Sequence, residues 1–229
     1  MKKIFNIILV AIIIVSIFIL TGCKDNTEDM LNEKISSEMN YLESVIRMIV
    51  KKYMANDYLN TDGNINWKDI KTDFEGINNS SSILVTDFAT KNFSNEDILK
   101  FEELLNNVNL AMSEESDVNV LIALANLYSI IPEYQEKYLG YDSEVTIRKI
   151  AILNLYSIIS CMQGDFDKAI EVCSQSESEY INLTKDTEYL KENSYYVNRI
   201  YVVLQEYKMS LSEKSLELAI IKYLNTMGI

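Results

Sequence analysis

The scarcity of helix-breaking residues constrains this chain more than any other feature of its sequence. Its 229 residues include one proline and six glycines, and so few breakers over this length favour long helices over a many-turned β fold. Segment 29–55 has the matching pattern, because its apolar residues recur every three or four positions, as in an amphipathic helix with one buried face. Charged residues such as Glu43 and Lys51 fall off this stripe. The stripe consists of Ile35, Met39, Leu42, Ile46, Ile49 and Tyr53.

Further stripes and capping residues predict the other helices. Asn66 is the predicted N-cap of a helix that starts at Trp67, and Ser94 begins the next one. Residues 118–131 are apolar almost all round, which is typical of a central helix, and we expect Pro132 to end it. The predicted fold class is all-α, an irregular multi-helix bundle or short α-solenoid of about seven to eight helices. The remaining predicted helices are 143–163, 166–182, 186–207 and one from about 213 to 226 that Ser210 or Ser212 caps.

The first 23 residues follow the order of an export signal. Lys2 and Lys3 precede an apolar run from Ile4 to Leu20, and small residues follow it. The run ends in Leu20-Thr21-Gly22-Cys23. With a cysteine directly after Leu-Thr-Gly, the segment resembles a bacterial lipoprotein signal.

The lipoprotein resemblance implies a lipid anchor at Cys23. In that family the cysteine thiol receives a diacylglyceryl group and the chain is cut just before it, and two acyl chains anchor a protein stably where one does not. The implied organisation is a signal peptide (1–22), a lipidated tether (23–29) and a single all-α extracytoplasmic domain (30–229) on the cell membrane. The alternative is an uncleaved spanning anchor, for which the apolar run is near the lower length limit.

The chain is strongly acidic, which bears on its partners. Its net charge is −13, and removal of residues 1–22, which hold Lys2 and Lys3 but no acid, takes it to −15. The phosphates of nucleic acid would repel such a surface, as would anionic lipid headgroups. We therefore expect no nucleic-acid partner, and membrane attachment through the lipid at Cys23 alone.

A repeated hexamer suggests a second level of organisation. Residues 126–131 recur letter for letter as residues 154–159, a spacing of 28 residues. This spacing is long enough for a helix and the antiparallel helix that follows it, which is the unit of α-solenoids. The second copy opens a hairpin, around residues 151–182, that resembles a tetratricopeptide repeat. The resemblance rests on Gly164 in the turn, Phe166, Lys168-Ala169 and the small Ser157. An irregular bundle whose helices share a hexamer is the favoured alternative.

The same hairpin separates the two remaining cysteines. If Ser157 faces Ala169, then Cys161 and Cys173 are offset by about four residues, or roughly 6 Å along the helix axis. That offset adds to an interhelical gap of about 8–10 Å, whereas disulfide Cα atoms lie within about 7 Å. We expect both cysteines to be small core residues.

The absence of histidine removes several kinds of catalysis together. The chain contains no His, so it has no Ser-His-Asp or Cys-His nucleophile system, no His general base and no common His-containing zinc site. Carboxylates are abundant, and a glycosidase needs only two of them. Pairs such as Glu114/Glu115 and Glu177/Glu179 have the pattern of solvated helix faces, however, and we expect no enzyme.

Tyrosines are frequent near the C-terminus and suggest a recognition surface. The chain has 15 Tyr and seven Phe, and tyrosine suits binding because it offers a flat apolar face and a hydroxyl. Tyr195 and Tyr196 are adjacent and point about 100° apart on a helix, so we expect at least one to be exposed and both to be candidate binding residues. Tyr201 is expected in the core.

The loop 58–69 resembles an EF-hand or dockerin loop with Gly63 at its sixth position. It departs from that pattern at the first position, where Tyr58 stands in place of Asp. The resemblance implies a weak Ca²⁺ site, and the alternative is a capped interhelical turn. The implied ligands are Asn60, Asp62, the Asn64 carbonyl, Asn66 and Asp69.

These observations together predict a lipid-anchored, extracytoplasmic bacterial lipoprotein that acts as a non-catalytic protein-binding or scaffolding module. A calcium-dependent or ligand-sensing lipoprotein that uses loop 58–69 is the main alternative. A carboxylate enzyme is the third.

Overall fold

The computed structural model describes the backbone of residues 2–58, 65–140 and 142–228, and the side chains in these ranges except those of 2–26, 56–58 and 117. Across these residues the fold is an all-α multi-helix bundle, as predicted, with no strand. A short π-helix, Gln135–Leu139, follows α4 directly. The α-helices are α1 Lys2–Tyr58, α2 Trp67–Thr90, α3 Asn95–Ser113, α4 Asp117–Tyr134, α5 Ser143–Met162, α6 Phe166–Leu183, α7 Thr187–Ser212 and α8 Leu216–Thr226.

The helices are joined by short connections whose residues end one helix and cap the next. Glu115, Gly164 and Lys214 each stand in the middle of a three-residue connection with positive φ, at 50°, 85° and 53°. This left-handed conformation ends a helix and lets the chain reverse. The predicted caps Asn66 and Ser94 are confirmed.

The predicted cap of the last helix is wrong. Ser215 caps α8, and its side chain accepts a hydrogen bond from the Leu218 amide. Ser210 and Ser212 instead lie in the last turn of α7, which extends beyond the predicted end because Leu211 is fully buried.

Helices that follow each other in the chain pack against each other, and α1 also packs against helices from later in the chain. Each helix contacts its neighbours along the chain, while α1 also contacts α4, the π-helix and α8. The predicted stripe of α1 is confirmed, because Ile35, Ile46 and Ile49 are completely buried. The apolar helix α4 is central, as predicted, and Leu121, Leu124 and Leu127 have no exposed surface.

The prediction that Pro132 ends its helix is wrong, because α4 continues through it to Tyr134 and into the π-helix. An internal proline costs about 3 kcal/mol, and buried contacts beyond it offset this cost. The completely buried Tyr134 donates a hydrogen bond to the Asp97 carbonyl at 2.5 Å. The Tyr138 ring stacks on Phe93 with centroids 3.6 Å apart.

The Asp97 carboxylate holds the π-helix against the start of α3. It accepts hydrogen bonds from Lys137 Nζ at 2.6 Å and from the Tyr138 hydroxyl. These two donors, with the capping hydroxyl of Ser94, lower the pKa of Asp97 to about 2. The ionised form of Asp97 therefore stabilises the extension of the chain past Pro132.

The two copies of the hexamer lie in consecutive helices, α4 and α5. One period thus corresponds to one helix and its connection rather than to a helix pair, so the hexamer does not mark a two-helix repeat. The predicted α5–α6 hairpin does form, and the Ser157 hydroxyl donates to the Ala169 carbonyl at 2.7 Å.

Candidate functional site

Two adjoining openings between α4, α5 and α6 form an extended concave surface. One has a volume of about 610 Å³ and the other about 480 Å³. Leu153 of α5 and Gln175 of α6 line both, so the openings are continuous. We call this surface the α5 groove. Its lining residues are Ile122, Ser129, Pro132 and Glu133 from α4, Glu136 from the π-helix, Lys149, Ile152, Leu153, Tyr156, Ile159 and Ser160 from α5, Gln163 directly after α5, and Lys168, Val172, Gln175, Ser178 and Glu179 from α6.

The floor of the groove is one face of α5 that its neighbours leave partly uncovered. The floor residues recur at intervals of four and three, which places them on one side of the helix. Leu153 and Tyr156 are half-buried, whereas Leu155 and Ile158 on the opposite side are buried. The full set is Lys149, Leu153, Tyr156, Ser160 and Gln163.

The sequence of α5 reflects this packing. Within the described residues, α5 is long and apolar enough to cross a membrane by length and composition, and 61% of its apolar window is buried inside the fold. Neighbouring helices α4, α6 and α8 all contact it. A helix that packs against three neighbours is apolar on the sides that they cover.

Charges divide the groove into an acidic end and a polar end. Glu133, Glu136 and Glu179 line the first end together with Lys149. Lys149 pairs with Glu136 at 2.6 Å, and Lys100 of α3 pairs with Glu133 at 2.8 Å. Glu179 accepts from the neutral Asn182 amide at 3.4 Å. The other end has the glutamines and Lys168.

The tyrosine hydroxyl at the floor is a fixed donor. Tyr156 donates to Asn126 Oδ1 at 2.8 Å and thereby ties the floor to α4. Burial raises the pKa of Tyr156 above its usual value, so the hydroxyl stays protonated near neutral pH. The groove thus offers apolar side chains beside polar groups, one of which, the Tyr156 hydroxyl, is fixed by its hydrogen bond.

The two candidate binding tyrosines occupy different environments. Tyr195 is 82% exposed, which confirms that one of the pair faces solvent. Tyr196 is half-buried and packs against the small core cluster that includes Val197 and Ile200. The two rings therefore do not form one face.

The expected core position of Tyr201 is wrong. The side chain is 48% exposed, and its ring packs on Tyr180 of α6 with centroids 5.5 Å apart. The core-facing positions of α7 nearest to it are Val197, Ile200 and Leu204, which leaves residue 201 at their edge.

Only part of the candidate calcium loop falls within the described residues. Asn60, Asp62 and Asn64 lie outside them. Asn66 Oδ1 accepts from the Asp69 amide at 3.3 Å, and Asn66 Nδ2 donates to Asp69 Oδ2 at 2.7 Å. These two side chains form a helix cap with each other, and calcium binding stays a prediction.

Two of the three cysteine side chains lie within the described residues. The side chain of Cys23, in α1, lies outside the described residues. Cys161 and Cys173 are free and buried, as predicted. Burial raises the pKa of Cys161 to about 11 and that of Cys173 to about 12, so neither thiol is a nucleophile at neutral pH.

Glu43 has a role that its position off the apolar stripe did not indicate. Its side chain is 12% exposed and pairs with Arg148 Nε at 2.7 Å. It also accepts from the Tyr128 hydroxyl at 2.6 Å and from Arg47 at 3.3 Å. Glu43 therefore links α1 to α4 and α5 as a structural ion pair.

Comparison of the chain with protein-family models, curated proteins and solved structures finds no significant match. The functional argument therefore rests on the geometry of the chain itself.

Proposed function

We propose that this chain is a lipid-anchored extracytoplasmic bacterial lipoprotein that acts as a non-catalytic protein-binding module. The observation that carries the proposal is the α5 groove, which is open, has an apolar floor and extends along a helix. From Lys149 to Gln163 the floor spans 14 helical positions, or about 21 Å. An open groove of this length suits a polypeptide segment better than a small molecule, which proteins usually enclose.

Attachment to the membrane is the second part of the proposal. It is supported by the order of residues 1–23, from Lys2-Lys3 through the apolar run to Leu20-Thr21-Gly22-Cys23. A diacylglyceryl group on Cys23 would hold the domain on the outer face of the cell membrane. Cys23→Ser should abolish lipid labelling and leave the precursor uncut at that position. Normal processing and membrane retention of this variant would instead point to a spanning anchor.

Protein binding in the groove is tested by photocrosslinking in living cells. A benzophenone amino acid is placed at Leu153 on the groove floor or at Gln175 on its wall, and at exposed Glu75 of α2 as a control. We expect the two groove positions, and not position 75, to form the same protein adduct. Leu153→Gln should remove the adduct formed from position 175. Groove positions that form no adduct, or the same adducts as position 75, would contradict protein binding at this site.

A further inference from the structure

We infer that the α5 groove receives an amphipathic helix of the partner protein, with basic residues in the turns that lie at the acidic end. This inference rests on the proposed function, since it specifies the segment that a protein-binding groove would hold. It depends on three properties of the groove, which are the state of its backbone, its dimensions and its charge.

The backbone of the groove walls favours a helical occupant. The groove walls are helices, whose backbone amides and carbonyls are bonded within the helix or at its cap, so the walls present no open strand edge. An extended peptide would lose hydrogen bonds to water without gaining main-chain partners. A helix satisfies its own backbone and contributes only side chains.

The dimensions of the groove set the length of that helix. A floor of about 21 Å matches about 14 residues, or four helical turns. Apolar residues spaced three and four apart on the occupant would cover the half-buried Leu153 and Tyr156. Such a contact buries apolar surface that the isolated chain leaves in water.

The charge of the groove sets the chemistry of the occupant. At the acidic end Lys100 pairs with Glu133 and Lys149 pairs with Glu136. Glu179, by contrast, accepts from the neutral Asn182 amide and has no cationic partner among the described residues. The whole chain carries −13. Both features attract a cationic segment and raise its rate of encounter. The positive end of a helix dipole is also favoured there, so the occupant should place its N-terminus near Glu136 and Glu179.

The same charge argues against two other occupants. Anionic lipid headgroups would be repelled from the acidic end. A second copy of this chain, with 21 basic and 34 acidic residues, is a poor source of a basic helix. A basic helix from another protein is the occupant that the groove fits.

The test uses the full-length chain in phosphatidylcholine nanodiscs and three labelled model peptides of about 14 residues. The peptides share one leucine face and carry lysine, glutamine or glutamate in their first two turns. Fluorescence anisotropy should show that the lysine peptide binds about tenfold more tightly than the glutamine peptide and that the glutamate peptide binds weakest. Empty nanodiscs measure binding to lipid.

Three variants connect binding to the groove. Leu153→Gln should weaken all three peptides about tenfold, and Gln175→Lys, at an exposed position, should weaken chiefly the lysine peptide. Glu179→Gln should weaken the lysine peptide about threefold and leave the glutamine peptide unchanged. Glu75→Gln is the matched control, because it makes the same charge change at an exposed site on α2.

The outcomes separate this inference from the proposed function. If glutamine or glutamate peptides bind as tightly as the lysine peptide and still depend on Leu153, the groove binds proteins but the basic helix is wrong. If no peptide depends on Leu153 or Gln175, the helix is wrong, and the crosslinking experiment alone then decides protein binding. A change of oligomeric state in Leu153→Gln would identify a second copy as the occupant and also overturn the inference.

Discussion

Removal of the Glu43 carboxylate should destabilise the fold strongly. Glu43→Ala leaves the Arg148 guanidinium without its anion and the Tyr128 hydroxyl without its acceptor. Arg148 would keep only the neutral oxygens of Asn40, at 2.7 Å, and Gln135. The variant therefore creates an uncompensated charge in a largely buried position.

The size of the effect follows from the exposure of the pair. Loss of one partner of a buried ion pair costs about 3–5 kcal/mol. The Glu43 and Arg148 side chains are each 12% exposed, so some solvent reaches them and we expect the lower value, about 3 kcal/mol. In a chain of this length that loss lowers the thermal midpoint by about 6–12 °C.

The free energy of unfolding is measured by urea titration of the full-length chain in a non-ionic detergent, followed by circular dichroism at the helical band. Glu43→Gln keeps the acceptor oxygen but not the charge, and should cost less than Glu43→Ala. Glu171→Ala is the control, because Glu171 pairs with Lys168 where both side chains are about half exposed, at 60% and 49%. It should cost less than about 0.5 kcal/mol.

A double-mutant cycle separates the ion pair from general effects of substitution. Arg148→Met in the Glu43→Ala background removes the unpaired charge and should recover at least about 1 kcal/mol relative to the sum of the single variants. If Glu43→Ala costs under about 1 kcal/mol, or if the two substitutions are additive, the pair does not stabilise the fold as argued.

Three further predictions follow from individual contacts. The pKa of Asp97 is lowered to about 2 from its ordinary 3.8, so its ionisation stabilises the fold above pH 4. This contribution to the free energy of unfolding is about 1 kcal/mol after solvent screening. It is lost as pH falls from about 4 to 2. Asp97→Asn should flatten that part of the stability–pH curve, and an unchanged curve would contradict the assignment. Tyr195→Ala should change the thermal midpoint by less than about 1 °C, whereas Tyr196→Ala should lower it by about 3 °C. The two variants differ because only Tyr196 packs on the core. Equal shifts would contradict this difference in burial. Asn66→Ala should lower the free energy of unfolding by about 1 kcal/mol, because the helix loses its N-cap. Calorimetry with millimolar Ca²⁺ decides whether loop 58–69 also binds calcium. A loop that is only a capped turn gives no binding heat.

Features set by near neighbours in the chain were predictable from sequence. The apolar stripe of α1, the caps Asn66 and Ser94, and the turn at Gly164 depend on contacts within about one helical turn. The all-α class followed from the same local signals together with the single proline. Exposure of at least one of Tyr195 and Tyr196 was also predictable, because adjacent residues on a helix cannot share one face, whereas which of the two faces solvent was not.

Features that depend on distant parts of the chain were decided only by the tertiary structure. Pro132 was expected to end a helix, and contacts of the chain beyond it with Asp97 and Phe93, about 40 positions away, hold the helix together. Glu43 reads as a solvated charge until Arg148, 105 positions later, packs against it. The α5 groove exists because α4 and α6 flank α5 without covering its outer face. The relative positions of these three helices are set by how whole helices fill the core rather than by any local pattern.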